Sequence, residues 1–121
     1  MPTESLRILL VEDEMLVAML LEDMLVESGH AVIGPIAKLD KAVEAAREET
    51  IDLAILDVNL HGHEVYPVAE VLAVRQIPFV FSTGYGAAGL PDVWRQRPTL
   101  RKPFHREDLY RIIGELSGRA P

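Results

Sequence analysis

Short runs of apolar residues recur along the chain and predict the strands of a buried sheet. Three of them, Leu6–Val11, Leu53–Leu56 and Pro78–Phe81, are almost uninterrupted. Runs of this length without alternation are typical of strands covered on both faces. Two briefer segments, Ala31–Ile33 and Pro98–Leu100, predict two further strands. We therefore expect five strands.

Between these runs the apolar residues repeat with the period of an α-helix. The clearest repeat precedes Gly29, a typical helix stop, and its apolar residues fall on one predicted core face: Leu16, Val17, Leu20, Leu21, Met24 and Leu25. The other predicted helices cover roughly residues 41–49, 65–72 and 109–116. Strand and helix thus alternate about five times, which predicts an α/β fold with a parallel sheet and helices on both faces.

The stretch from Thr83 to Gln96 has the least regular pattern. It contains Gly84, Gly86, Gly89 and Pro91 among few helix formers, so the fourth helix is predicted to be short or irregular. We expect Trp94 to anchor this stretch to the body of the domain. The sequence contains neither an internal repeat nor a linker, and residues 1–121 are predicted to form one domain.

Composition narrows the possible functions. The chain has 121 residues, 49% of them hydrophobic, and contains no cysteine, which removes thiolate metal sites and cysteine nucleophiles. The apolar runs are too short to cross a membrane, so we expect a cytoplasmic protein without a membrane partner. A net charge of −7 argues against direct binding of nucleic acid.

Polar side chains follow the predicted strands where each strand ends. Glu12 and Asp13 follow the first, Asp57 the third, Thr83 the fourth and Lys102 the fifth. Because the carboxyl ends of parallel strands meet in one crevice, these residues should converge. Three carboxylates at close range require compensation, and their oxygen ligands favour Mg²⁺ or Mn²⁺.

Each of these residues also has a structural interpretation. Asp13 can cap the first helix while Glu12 serves a metal ion, Asp57 can be a turn residue, and Lys102 can be a solvated side chain before Pro103. A carboxylate beside a metal ion at the end of the central strand is nevertheless a candidate nucleophile for phosphoryl transfer.

The ordered set Glu12-Asp13, Asp57, Thr83 and Lys102-Pro103-Phe104 resembles the receiver domain of two-component response regulators over essentially the whole chain. The resemblance implies a flavodoxin-like, doubly wound five-stranded parallel sheet with strand order 2-1-3-4-5. It also implies that Asp57 is the phosphoacceptor and that Thr83 and Lys102 sense the phosphoryl group. The implied Mg²⁺ ligands are Asp13, Asp57, the backbone carbonyl of Asn59 and, through water, Glu12.

The chain departs from the commonest receivers in two segments. The usual proline and Asp-Gly turn after Asp57 are replaced by Val58-Asn59-Leu60-His61-Gly62. The segment Phe79–Gly86 resembles the "FATGUY" group of often single-domain receivers linked to histidine kinases of the HWE or a related type, with Ser82 in place of alanine. In this group the fourth helix is shortened, and Tyr85 lies where receivers often have an aromatic switch residue.

Three functions are consistent with these residues. The first is a receiver that takes a phosphoryl group from a histidine kinase or phosphotransfer protein. We expect no output domain, so that this receiver would act through protein contacts or as a phosphate sink, and we expect no enzyme activity beyond its own phosphorylation and dephosphorylation. The second is a Mg²⁺-dependent phosphohydrolase with an aspartyl nucleophile, against which Asn59 counts because a second carboxylate is expected there. The third is a receiver-like interaction module that is not phosphorylated. Such modules normally have lost one of the acidic residues or the lysine, whereas this chain retains all of them.

Overall fold

The computed structural model of the chain describes residues 5–84 and 86–117. The strands in this part are β1 (Arg7–Val11), β2 (Ala31–Ile36), β3 (Leu53–Asp57), β4 (Asn59–Leu60), β5 (His63–Glu64), β6 (Phe79–Thr83) and β7 (Thr99–Arg101). The α-helices are α1 (Met15–Glu27), α2 (Leu39–Glu48), α3 (Tyr66–Val74) and α4 (Arg106–Leu116). The predicted order of elements is therefore confirmed except for β4 and β5, which were not predicted. The helix predicted over residues 41–49 begins two residues earlier than expected, at Leu39.

The main sheet has the strand order β2-β1-β3-β6-β7, and all of its neighbouring strands are parallel. Counting only the strands of this sheet, the order is 2-1-3-4-5, as the resemblance implies. β4 and β5 form a separate antiparallel hairpin directly after the central strand β3. This order places the carboxyl end of β3 between the ends of β1 and β6.

Helices cover both faces of the sheet, and each face has its own apolar core. On one face α1 and α4 pack on β1, β3 and β6 through Leu21, Leu25 and Leu109. On the other face α2 and α3 pack through Ala42 and Leu72. Because β3 is buried along its full length, it supplies residues to both cores.

The predicted core face of α1 is partly wrong. Leu21, Met24 and Leu25 are buried, but the side chains of Leu16 and Leu20 are 80% and 53% exposed. The helix has the sequence MLVAMLLEDMLVE, which is apolar around most of its circumference. Helical periodicity therefore could not indicate which apolar stripe faces the sheet.

The stretch between β6 and β7 contains two 3-10 helices, Gly86–Gly89 and Asp92–Trp94, in place of a regular fourth helix. Trp94 is buried, stacks on Tyr66 with ring centroids 6.5 Å apart, and meets Phe79 and Phe81 edge to face. The guanidinium of Arg97 lies 4.6 Å from the centroid of the Phe79 ring. The predicted irregularity and the anchoring role of Trp94 are both confirmed.

Strand β2 is distorted at Gly34. The register of β2 against β1 shifts between Leu9 and Val11, and Gly34 has a φ of +107°. A Cβ atom at this position would lie 2.7 Å from the backbone nitrogen of Ile36 and 2.8 Å from the carbonyl oxygen of Leu10. Only glycine fits this backbone without displacing the neighbouring strand.

We expect Gly34→Ala to lower the free energy of unfolding by about 2–3 kcal/mol, because it combines an unfavourable φ with a backbone clash. Gly29→Ala is the matched control, since Gly29 also has a positive φ of +90° but no atom within 4 Å of an added Cβ. Urea denaturation of both variants measures the difference. Equal destabilisation of the two would mean that the contacts of Gly34 do not matter.

Within the described ranges, no helix has the length and apolar character needed to cross a membrane.

Candidate functional site

The carboxylates predicted to converge do so at the carboxyl edge of the sheet. Glu12 and Asp13 follow β1, and Asp57 is the last residue of β3. Glu12 and Asp57 are buried, Asp13 is half-buried, and each offers an oxygen within 4.8 Å of those of the other two. Three acidic groups that are far apart in sequence thus form one cluster.

Lys102 supplies the positive charge of this cluster. Its Nζ lies 3.1 Å from Glu12 Oε1 and 3.5 Å from Asp57 Oδ2. The lysine follows β7, its backbone N–H donates to the Thr83 carbonyl at 2.8 Å, and its peptide bond to Pro103 is cis. The interpretation of Lys102 as a merely solvated side chain is therefore wrong, because it reaches across the sheet to the acidic groups.

One ammonium cannot neutralise three carboxylates, and the pKa values of the cluster reflect this. Burial, followed by hydrogen bonding and charge repulsion from Glu12, raises the pKa of Asp57 to about 8. Burial alone would lower the pKa of Lys102, but the negative charges of Asp57 and Glu12 outweigh it and raise the pKa above 10.5. Without a further cation, the site thus favours the protonated form of Asp57 far more than water does.

Asp13 has a different environment. The backbone N–H of His61 donates to Asp13 Oδ2 at 2.8 Å, and the His61 ring nitrogen Nδ1 lies 3.5 Å from the same oxygen. Burial raises the pKa of Asp13, but hydrogen bonds from His61 and Asp57 more than offset it, so the pKa lies below 3.8. The interpretation of Asp13 as the cap of α1 is wrong, because Glu14 is the N-cap residue and no side chain caps this helix. Glu12 Oε2 accepts the N–H of Glu14 at 3.1 Å.

The hairpin β4–β5 is the part of the site that sequence reasoning missed. Its two-residue turn, His61-Gly62, has positive φ at both positions, which is typical of a type I′ turn. The turn is closed by Asn59, whose side-chain Oδ1 accepts the N–H of Gly62 at 2.8 Å, and the N–H of Asn59 donates to Asp57 Oδ1 at 3.4 Å. The glycine was the available sequence signal, but histidine before it is less characteristic of this turn than asparagine or aspartate. Backbone N–H groups of the hairpin thus donate to the side-chain carboxylates of both Asp57 and Asp13.

The remaining predicted site residues lie at the end of β6. Thr83 is buried and closes that strand, one residue after Ser82, which pairs with Asp57 across the sheet. Tyr85 lies outside the residues that the structure describes. The hydroxyl of Thr83 is therefore at the same edge of the sheet as the acidic cluster.

The donor set of this cluster fits a hard divalent cation. All of the candidate side-chain ligands are carboxylate oxygens, which Mg²⁺ and Mn²⁺ prefer. Glu12 Oε1 is buried and makes no hydrogen bond within the described part of the chain, although Lys102 lies beside it. A divalent ion would balance the excess negative charge and remove the repulsion that raises the pKa of Asp57.

The sequence and the fold match known proteins. The family model of the response regulator receiver domain matches residues 8–114. The transcriptional regulatory protein PdtaR of Mycobacterium tuberculosis is 33% identical over 111 residues, which cover 88% of this chain and 54% of PdtaR. The chain thus spans about half the length of the curated relatives that it matches.

Two solved structures have the same architecture. SdrG from Sphingomonas melonis Fr1 is 42% identical with a TM-score of 0.82, covering 93% of this chain and 96% of SdrG. The receiver domain of the sensor histidine kinase PA1611 from Pseudomonas aeruginosa PAO1 is 26% identical with a TM-score of 0.83, covering 95% of this chain and 99% of that domain. The latter structure has a magnesium ion coordinated in its active site cleft.

Proposed function

The chain belongs to the response regulator receiver domain family, and on that premise we propose that Asp57 accepts a phosphoryl group from a histidine kinase or a phosphotransfer protein. The observation that carries the proposal is the meeting of Glu12, Asp13 and Asp57 with Lys102 at one edge of the sheet. Incubation with acetyl phosphate, with and without EDTA, tests it. We expect covalent phosphorylation that EDTA prevents, and unchanged labelling in EDTA would contradict the proposal.

The proposed reaction exchanges one bond to phosphorus for another. A carboxylate oxygen of Asp57 forms a P–O bond while the bond between phosphorus and the donor breaks, and the donor leaves with that electron pair. In the hydrolysis branch, water attacks phosphorus, the P–O bond to Asp57 breaks with its electron pair going to the carboxylate, and inorganic phosphate leaves as H2PO4−, which carries both protons of the water. The protein thus catalyses only its own phosphorylation and dephosphorylation.

The residues that would hold Mg²⁺ are Asp13, Asp57, the backbone carbonyl of Asn59 and, through water, Glu12. Bound there, the ion supplies positive charge to the phosphoryl oxygens. Mn²⁺, which prefers the same oxygen ligands, is proposed as a substitute.

Lys102 and Thr83 are proposed to recognise the phosphoryl group. The Lys102 ammonium is already positioned among the carboxylates and can form charge-assisted hydrogen bonds to phosphoryl oxygens. The Thr83 hydroxyl and the Tyr85 ring are proposed as the switch that reports phosphorylation to partners. The output is an altered protein contact or a phosphate sink. Direct nucleic-acid binding is not expected at a net charge of −7.

A phosphodonor protein must cover the rim of the site, and α1 begins two residues after Asp13. The exposed apolar face of this helix, which we call the α1 face, consists of Met15, Leu16, Met19 and Leu20. Exposed apolar patches beside a reactive site are typical of protein-binding surfaces. We propose that the donor kinase docks here, in the cytoplasm, and that kinases of the HWE type are the first class to test.

We expect Leu16→Glu to slow phosphotransfer from the cognate kinase about tenfold or more, because it places a charge in the centre of the α1 face. Transfer from acetyl phosphate should not change, since this small donor does not need the docking surface. Rapid-quench assays with both donors measure the two rates.

Val74→Glu is the matched control for this variant. Val74 is 84% exposed on α3, so the same charge is added to an exposed apolar position outside the α1 face. The control should transfer like the wild type. If Leu16→Glu and Val74→Glu behave alike, or if labelling by acetyl phosphate also falls in Leu16→Glu, the α1 face is not the docking surface.

A further inference from the structure

Ser82 is the immediate neighbour of the proposed phosphoacceptor in the sheet. β3 and β6 are parallel, and their register pairs Asp57 with Ser82. Residues alternate between the faces of a strand, and Val80, two residues before Ser82, packs in the same core as Ile55, two residues before Asp57. Ser82 and Asp57 therefore project from the same face of adjacent strands, which lie about 4.8 Å apart.

The hydroxyl of Ser82 is fully buried and makes no hydrogen bond to any described residue. A buried hydroxyl without a partner destabilises a fold, and such groups are uncommon enough to require an explanation. An alanine would avoid this cost at the same position. A partner that forms only during the reaction would account for a hydroxyl that is unpaired in this state.

An O–H donor needs an acceptor, and the strand register places the Asp57 carboxyl beside Ser82. The Lys102 ammonium has no lone pair to offer, and Glu12 follows β1, which lies on the side of β3 away from Ser82. The Asp57 carboxyl is the neighbouring acceptor, but in this structure its Oδ1 receives the N–H of Asn59 and its Oδ2 faces Lys102. Attachment of a phosphoryl group to one of these oxygens would leave the other as an acyl carbonyl.

We propose that Ser82 is a catalytic residue whose hydroxyl donates a hydrogen bond to the Asp57 carboxyl while the P–O bond forms and breaks. This inference rests on the proposed function. During hydrolysis, water attacks phosphorus and the electron pair of the P–O bond moves onto the Asp57 carboxyl. Because negative charge grows on that group, a hydrogen bond to it is stronger in the transition state than in the acyl phosphate. Ser82 keeps its proton throughout.

The negative charge that grows on the Asp57 carboxyl during hydrolysis determines whether Ser82→Ala slows or speeds the reaction. Ser82→Ala removes the donor, so the acyl phosphate should hydrolyse about three- to tenfold more slowly and live correspondingly longer, as expected for the loss of one hydrogen bond. The same variant should be at least as stable to urea as the wild type without Mg²⁺, because it removes an unpaired buried hydroxyl. If the Ser82 hydroxyl only stabilised the fold, Ser82→Ala would instead be less stable to urea than the wild type.

The experiment follows the loss of phosphoryl label from the wild-type chain, Ser82→Ala and Ser82→Cys after acetyl phosphate is removed. Cysteine is close to serine in size but is a weak hydrogen-bond donor. The acyl phosphate of Ser82→Cys should therefore have a lifetime near that of Ser82→Ala. If only the volume of the side chain mattered, Ser82→Cys would behave like the wild type. Infrared spectra with isotope-labelled aspartate should show the acyl carbonyl band at higher frequency in Ser82→Ala, because its hydrogen bond is lost.

An unchanged or shortened lifetime in Ser82→Ala would overturn the inference, and so would an unshifted carbonyl band. These outcomes are separable from a failure of the proposed function. If the wild type takes up no label at all, the proposed function fails, whereas a labelled wild type with an identical Ser82→Ala variant contradicts the role of Ser82 alone.

Discussion

Asp57→Asn should reduce covalent labelling by acetyl phosphate and Mg²⁺ to background. The amide of asparagine is a much poorer nucleophile than a carboxylate, and Asp57 is the carboxyl that lies between Lys102 and the hairpin N–H of Asn59. Asparagine has almost the same shape, so the fold and its two cores should persist. Quantitative intact-mass spectrometry of the purified variant measures the label.

The matched control is Asp23→Asn, at an exposed aspartate of α1 away from the acidic cluster. It should label at the wild-type rate. Persistent labelling of Asp57→Asn would show that another residue accepts the phosphoryl group. Loss of labelling in both variants would show that the assay responds to a general disturbance of the domain.

Asp57→Asn should also stabilise the metal-free protein at alkaline pH. The pKa of Asp57 is about 8 in the folded state, against 3.8 as its ordinary value. Between these values the folded protein binds more protons than the unfolded chain, so the stability of the wild type falls as pH rises through this window. Asp57→Asn removes this dependence and should raise the free energy of unfolding at pH 8 on the order of 2–4 kcal/mol.

Asp13→Asn should have the opposite effect, lowering the free energy of unfolding. The pKa of Asp13 lies below its ordinary value, so its carboxylate stabilises the fold above that value and loses this contribution as pH falls. We expect this variant to be about 1 kcal/mol less stable than the wild type at neutral pH. Urea titrations from pH 5 to pH 9 in EDTA measure both variants, and adding Mg²⁺ should reduce the advantage of Asp57→Asn. A fall in stability for Asp57→Asn in EDTA would mean that its carboxylate is a structural ligand.

The sheet and the convergence of the acidic residues could be predicted because they depend on short-range patterns. Short apolar runs such as Leu53–Leu56 are typical of strands buried on both faces, and the parallel order brings the strand ends together. The convergence of Glu12, Asp57 and Lys102 could therefore be predicted without any information on three-dimensional contacts. The glycines between β6 and β7 likewise predicted the absence of a regular helix there.

Other features depend on three-dimensional packing and were not predictable in this way. The exposure of Leu16 and Leu20 is decided by how α1 rotates on the sheet, which an almost uniformly apolar helix does not encode in its period. The β4–β5 hairpin has only two pairs of residues, and its His61-Gly62 turn gives a weak sequence signal. The hydrogen bond from His61 to Asp13 follows from that hairpin, so it was missed together with it.

The most direct test of the account is to identify the residue that carries the phosphoryl group. Borohydride reduction of the acyl phosphate, followed by peptide mass spectrometry, converts the modified aspartate into homoserine and so marks its position. We predict that the wild type carries the mark at Asp57 and at no other residue, and only when Mg²⁺ is present. A mark at Glu12, Asp13 or any residue other than Asp57 would contradict the assignment of this site.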